Sequence, residues 1–162
     1  YVTHDQIEAM TMASHVAIMR DGLIEQFGTP RELLRNPQTA FVSTFIGTPP
    51  NNLLEVVADG KQGSVAGHKI ALAPPDTGQR YRAMFRPEAI TLVDDKAPNT
   101  LALEIVEVSS IAGRVMATGV DGDLRVTCVV GGDPDLPIGS RAYFRLPPKP
   151  DCWFGQDGRR VA

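Results

Sequence analysis

Apolar and polar positions follow two rhythms along this chain, and the change falls near Gly47–Asn52. Before it, helical spacing and one hairpin dominate. Asp5 to about Ala13 predicts a helix: Asp5 caps it, Glu8 stands three residues later as in a capping box, and Ile7, Met10 and Met12 supply apolar contacts. His15–Arg20 predicts a short strand, Asp21-Gly22 a two-residue turn, and Leu23–Phe27 the returning strand. Thr29-Pro30-Arg31-Glu32 opens a second helix, with Thr as cap, Pro in the first position and Glu reaching back. The same device is expected at Asn36-Pro37, leading into Phe41, Val42, Phe45 and Ile46 at helical spacing, with Gly47 as the stop.

Residues 48–52 (Thr-Pro-Pro-Asn-Asn) have a linker's composition, stiffened by two prolines and without an apolar anchor. Beyond them the predicted strands are Leu53–Ala58, Lys69–Ala73, Tyr81–Arg86, Ala89–Val93, Leu101–Val108, Arg114–Val120, Leu124–Val130, Arg141–Leu146 and Arg159–Ala162. Alternation is clear in Leu124, Val126, Cys128 and Val130, and again in Ala142, Phe144 and Leu146. It slips by one between Ile105 and Val106, the signature of a bulge. Many short strands split by turns at Gly60, Asp121-Gly122 and Gly131-Gly132 predict a mainly β fold: a small barrel or sandwich of about 110 residues.

Composition narrows the function classes. At 43% hydrophobic and 22% charged the chain is globular, and a net charge of −3 argues against nucleic acid as a partner. No apolar run is long enough for a membrane span. The two cysteines, Cys128 and Cys152, have neither metal-site spacing nor the number for a disulfide framework, so no metal site is expected. Cys128 belongs to an alternating apolar face; Cys152 is expected to be partly exposed. His15 and His68 read as surface or core-edge residues, and Trp153-Phe154 as the closure of a barrel end.

The chemistry concentrates in Tyr1-Val2-Thr3-His4-Asp5-Gln6, an apolar strand end followed by a histidine at a strand-to-helix turn. Ligands of α/β proteins sit beyond the carboxyl ends of strands, and a neutral imidazole there can donate to a phosphate oxygen. A second candidate is Arg86-Pro87-Glu88, which reads either as a surface ion pair about a strand-ending proline or as a regulatory or dimer contact. Backbone anion nests are sought at Ala112-Gly113-Arg114 and Gly131-Gly132-Asp133.

VTHDQIEAM (Val2–Met10), AIMRDGLIEQFGTP (Ala17–Pro30) and ELLRNPQTAFVSTFIG (Glu32–Gly47) together resemble the end of an ABC-transporter ATPase domain of the maltose, sugar and glycerol-3-phosphate importer type. The later Phe85-Arg86-Pro87-Glu88-Ala89-Ile90 resembles the RPE-type strand of that family's transport-associated OB domain. The resemblance implies residues 1–47 as a short α/β remnant of the P-loop ATPase domain, residues 48–52 as linker, and residues 53–162 as an OB-like regulatory domain. It implies that His4 is the switch histidine contacting the ATP γ-phosphate in the intact subunit, which would use ATP and Mg2+. Implied partners are a second copy of the subunit in a homodimer, membrane permease subunits and a cytosolic regulator, with the assembly on the inner face of the cell membrane.

The chain begins at Tyr1 and contains no G-x-x-x-x-G-K-[ST] loop and no LSGGQ-like signature, so it reads as a C-terminal piece that does not hydrolyse ATP alone and binds no cofactor beyond His4. The stretch from Phe45 to Asn52 resembles sugar-type ATPases, favouring a sugar or glycerol-3-phosphate as cargo, with a polyamine or iron as the alternative. A free-standing OB-type module binding an oxyanion or a regulator is the other reading. Residues 1–47 are expected to be docked on the barrel, exchanged with a second copy, or mobile.

Overall fold

The computed structural model describes all residues except 60, 61, 77, 78, 112, 133 and 162, and the side chains of 59 and 111. In chain order the elements are α1 (Gln6–Met12), β1 (Val16–Arg20), β2 (Leu23–Gly28), α2 (Pro30–Arg35), α3 (Ala40–Phe45), β3 (Asn52–Asp59), β4 (Gln62–Val65), β5 (His68–Ile70), β6 (Arg80–Phe85), a 3-10 turn (Pro87–Ala89), β7 (Thr91–Val93), β8 (Thr100–Ile111), β9 (Arg114–Asp121), β10 (Leu124–Val130), β11 (Arg141–Arg145) and β12 (Cys152–Phe154). Among the described residues, β1 and β2 pair only with each other. The remaining strands form two five-stranded sheets, β10-β9-β8-β11-β7 and β12-β6-β3-β4-β5, antiparallel throughout.

The first sheet curls and shares one core with the second. Leu54, Val56, Tyr81 and Phe85 from one sheet meet Leu101, Leu103, Ile105, Val126 and Phe144 from the other. The expected alternation holds in β10, where Val126 and Cys128 are buried and Arg125 is exposed. In β8 and β9 the register slips between Ile105 and Glu107, leaving Val106 as the extra residue where the sequence pattern had slipped. Gly119 lies opposite Ile105; a Cβ there would stand 2.6 Å from the Phe144 ring and 2.7 Å from Leu103 Cβ, so only glycine fits the curl.

The second sheet is covered on both faces. Tyr81, Ala83 and Phe85 of β6 point into the shared core, while Met84, with Cys152 and Phe154 of β12, meets Ala40 of α3 on the other side. This places residues 1–47 on the outer face of that sheet. Their own cluster is small: Ile18, Leu33, Val42 and Ile46.

A buried polar residue helps tie the two sheets. Asn52 is 7% exposed; its Nδ2 donates to the Thr127 carbonyl at 2.8 Å and its Oδ1 accepts from the Thr127 amide at 2.7 Å. The side-chain amide thus pairs with the free edge of β10 as another strand would.

Several local expectations shift. Asp21 (φ 50°) and Gly22 (φ 79°) form the expected turn with both central residues left-handed. Thr29 and Glu32 form a complete capping box. At α1, Asp5 caps Glu8 as expected, but the Glu8 carboxylate turns to the Thr3 and Tyr1 hydroxyls instead of closing the box. α3 is capped by Thr39, not Asn36; Asn36 ends α2, and its carbonyl is held by Gln26 and Gln38. Ala89–Val93 is not one strand, because Pro87 at a first helical position starts a 3-10 turn and delays β7 to Thr91. β5 ends at Ile70, short of Ala73. Arg159 and Arg160 make single bridges to Thr39 and Phe154 instead of a terminal strand, and Ala162 lies outside the described residues. β4, built on Gln62-Gly63-Ser64-Val65, has too little hydrophobic pattern to be read ahead.

Candidate functional site

His4 occupies the predicted turn. It is exposed, directly before the Asp5 cap of α1, and its ring takes no hydrogen bond from the described residues. The turn is held from behind: the Asp5 amide donates to Thr3 Oγ1 at 3.0 Å, and Thr3 Oγ1 donates to Glu8 Oε2 at 2.9 Å. These bonds fix the backbone on either side of His4 and leave the imidazole presented outward.

α1 then forms one wall of a groove of about 410 Å³ through Gln6, Ile7, Met10 and Thr11. Gly47, Thr48, Pro49 and Asn51 form a second wall, and Leu34, Arg86 and Glu88 close it. The walls are fixed by polar contacts. Asn51 Nδ2 donates to the Ser43 carbonyl at 2.7 Å, tying residues 48–52 to α3. This stretch, which has a linker's composition, is therefore held at two consecutive asparagines.

Arg86, Pro87 and Glu88 do three different things. Arg86 Nη2 donates to the Leu34 carbonyl in the last turn of α2 at 3.2 Å, and its Nε lies 3.4 Å from the Asp151 carboxylate, whose other oxygen accepts the Arg86 amide at 3.2 Å. A cation near a helix C-terminus meets the negative end of the helix. Arg86 so joins residues 1–47 to the strand segment before β12. Pro87 is buried in the 3-10 turn, and Glu88 pairs with Arg114 at 2.9 Å. Both ion pairs are partly exposed, so each contributes at most about 1 kcal/mol. His4 itself does not line the groove; the helix that follows it does.

The other singled-out residues are structural in their contacts. His15 stacks on Phe27 with centroids 5.5 Å apart, and His68 Nε2 meets Asp121 Oδ2 at 2.9 Å between β5 and β9. Trp153 meets the Tyr81 ring edge-on within the core. Cys152 is buried, not partly exposed, and burial pushes both its thiol and that of Cys128 up to about 11. Of the two sought anion nests, Ala112 and Asp133 lie outside the described residues. The roles of the Leu34 carbonyl, Asp151 and Asn52 leave no local signal in the sequence: each acts through a partner at least 50 positions away.

No family model matches the chain. Curated relatives do. It is 40% identical over 149 residues to the sn-glycerol-3-phosphate import ATP-binding protein UgpC of Rhizobium meliloti, covering 81% of this chain and 42% of that protein. The UgpC of Salmonella typhi is 34% identical over 171 residues, covering 99% of this chain and 47% of that protein. The chain is thus homologous to part of the ABC-importer ATP-binding proteins. It spans about half the length of the curated relatives it matches. Among solved structures, the cytoplasmic molybdate-binding protein ModG superposes with a TM-score of 0.52 at 14% identity, over 61% of this chain and 92% of ModG. That likeness supports the OB-type fold of the β-rich part and nothing about ligand.

ATP and Mg2+ fit poorly to the described residues taken alone. No three of their His, Cys, Asp and Glu side chains converge as metal ligands, and no buried side-chain N or O lacks a partner. His4 is a single imidazole, and alone it supplies no step of phosphoryl transfer.

Proposed function

We propose that this chain is the C-terminal portion of the ATP-binding, energy-coupling subunit of a bacterial ABC importer for glycerol-3-phosphate, with a sugar as the next candidate cargo. The relatives' names support the cargo. In this reading the intact subunit hydrolyses ATP as a homodimer bound to permease subunits on the inner face of the membrane, and residues 53–162 regulate it. His4 contacts the ATP γ-phosphate in the closed dimer.

The observation that carries the regulatory part is the shared groove. The helix behind His4 forms one wall, and Arg86, joined to the Leu34 carbonyl and to Asp151, closes it. A shift of the OB-type domain is thereby transmitted to α1 and so to the His4 turn. Arg86, Pro87 and Glu88 act in this reading as the regulatory contact rather than as catalytic groups.

The test uses the intact subunit reconstituted with its permease. His4→Ala is expected to lower ATP turnover about 10²-fold or more while nucleotide still binds. Unchanged turnover would remove His4 from the role. Arg86→Ala is expected to leave nucleotide binding in place and weaken the dependence of ATPase rate on cargo-loaded binding protein; full retention of that dependence removes the transmission role. Uptake of labelled glycerol-3-phosphate, against a sugar and a polyamine, decides the cargo.

A further inference from the structure

A second groove, of about 790 Å³, lies between the β1–β2 hairpin, the start of α3 and the chain from Asp157 to Arg160. It shares no lining residue with the groove behind His4. Four arginines reach it: Arg20, Arg82, Arg159 and Arg160. Arg20 is satisfied, being 3.4 Å from Asp21, 4.0 Å from Glu25, and 5.0 Å over the Phe41 ring.

The other three form no ion pair with any described carboxylate. The Arg82 guanidinium donates, among the described residues, to the Gly155 and Gln156 carbonyls at 3.3 and 3.1 Å. Arg160 reaches the Asn36 side-chain oxygen at 3.4 Å, and the Arg159 side chain is exposed. The two carboxylates that line the groove are held by its own wall: Glu25 accepts from Thr39 Oγ1 at 3.1 Å, and Asp157 accepts the Arg159 amide at 2.9 Å. With the Arg20–Asp21 pair set aside, three arginines against two carboxylates leave one positive charge here, in a chain whose net charge is −3. Apolar surface adjoins them, with Leu23 74% and Ile24 61% exposed on the same groove.

We propose that this groove docks an acidic peptide segment of a protein partner. Carboxylates of the segment meet Arg82, Arg159 and Arg160, and one of its aliphatic or aromatic side chains covers Leu23 and Ile24. Guanidinium forks match carboxylates bidentately, and unpaired forks side by side select against a cationic or neutral segment. The groove's size suits several residues of extended chain, not a lone oxyanion. The apolar rim beside the charges separates this site from one built for nucleic acid, because Phe41, the aromatic on its lining, is covered by Arg20 and not open to stack a base. This inference is independent of the ATPase reading, because the binding it predicts needs no nucleotide.

The experiment titrates the intact subunit into a fluorescein-labelled octapeptide of alternating Glu and Leu and follows anisotropy. Binding is expected, weakening as salt rises from about 50 to about 300 mM. The same peptide with Lys for Glu is expected not to bind. Arg159→Glu with Arg160→Glu is expected to weaken the acidic peptide at least roughly tenfold and to gain binding of the Lys peptide. Leu23→Ser, at an exposed tip, is the second variant and is expected to weaken binding without reversing the charge preference. A far-UV spectrum and melting midpoint like wild type qualify each variant. Equal affinity for both peptides, or no change in either variant, overturns the proposal. So does displacement of the peptide by inorganic phosphate at constant ionic strength, which would make the groove an oxyanion site. Binding of anionic lipid vesicles lost in the double arginine variant would make it a membrane contact and overturn it equally.

Discussion

Residues 1–47 and the β-rich body fold by different means. Among the described residues, eighteen buried residues of the body form one continuous cluster, whereas residues 1–47 bring only Ile18, Leu33, Val42 and Ile46 to a cluster of their own. Exposed large hydrophobics divide the other way: among the described residues ten of thirteen, from Tyr1 to Phe45, fall in the first 47 positions. Well-formed local elements, with good caps and a good hairpin turn, do not amount to a core. The first part takes its stability from the sheet it covers, through Ala40 against Met84, Cys152 and Phe154 and through the Arg86 bridge. The difference predicts two separable unfolding events, with residues 1–47 opening first.

The strongest way to break that comparison is to damage the shared core. Phe144, fully buried between the sheets, is expected to cost about 3–5 kcal/mol as Phe144→Ala and to take both parts down together, read by denaturant melts with probes in each. Loss of the body with α2 and α3 still protected would contradict the dependence. Asn52→Leu keeps the branched shape but leaves the Thr127 amide and carbonyl without their partner, costing about 2–3 kcal/mol and exposing the β10 edge. Protection of the Thr127 amide from exchange is the direct readout.

Leu33→Ala addresses the small cluster alone. A cost of about 2 kcal/mol is expected, confined to faster exchange in residues 1–47, with Leu124–Val130 unchanged. Finer still is the pair of thiols. Both are buried and raised to about 11, so both resist alkylation at neutral pH. Cys152 sits beneath α3 while Cys128 sits in the shared core, so Cys152 is expected to label faster by about tenfold or more. Equal rates would mean that the two parts open as one.

The smallest effect is on pH. Backbone and side-chain hydrogen bonds from Thr29 hold the Glu32 carboxyl below its ordinary value. A depressed folded-state value adds stability above the ordinary carboxylate range and loses it as pH falls through the depressed one. Acidification is therefore expected to fray α2 by amide exchange, and Glu32→Gln is expected to remove that pH dependence.

Much of the fold was legible because it rests on local rules. The Asp21-Gly22 turn, the Thr29–Glu32 box, the alternation of β10 and the slip at Val106 each follow from a few adjacent residues. The two-sided burial of β6 was not legible as such, since Tyr81–Phe85 reads as a plain apolar strand whether one face or both are covered. Pro37 misled because a proline after an asparagine fits a helix start equally well one turn too early. At the candidate site, the His4 turn could be read from its motif. The groove could not, because Leu34, Arg86 and Asp151 meet only after the second sheet forms.

A single amide also decides where this polypeptide can be divided. Proteolysis or recombination after Asn51 would release a body that carries its own fastener, whereas a break one bond later would leave the seam at Thr127 unlatched. Exchange of such bodies between related subunits is thus confined to junctions upstream of Asn52, although the five residues around it look interchangeable on the page.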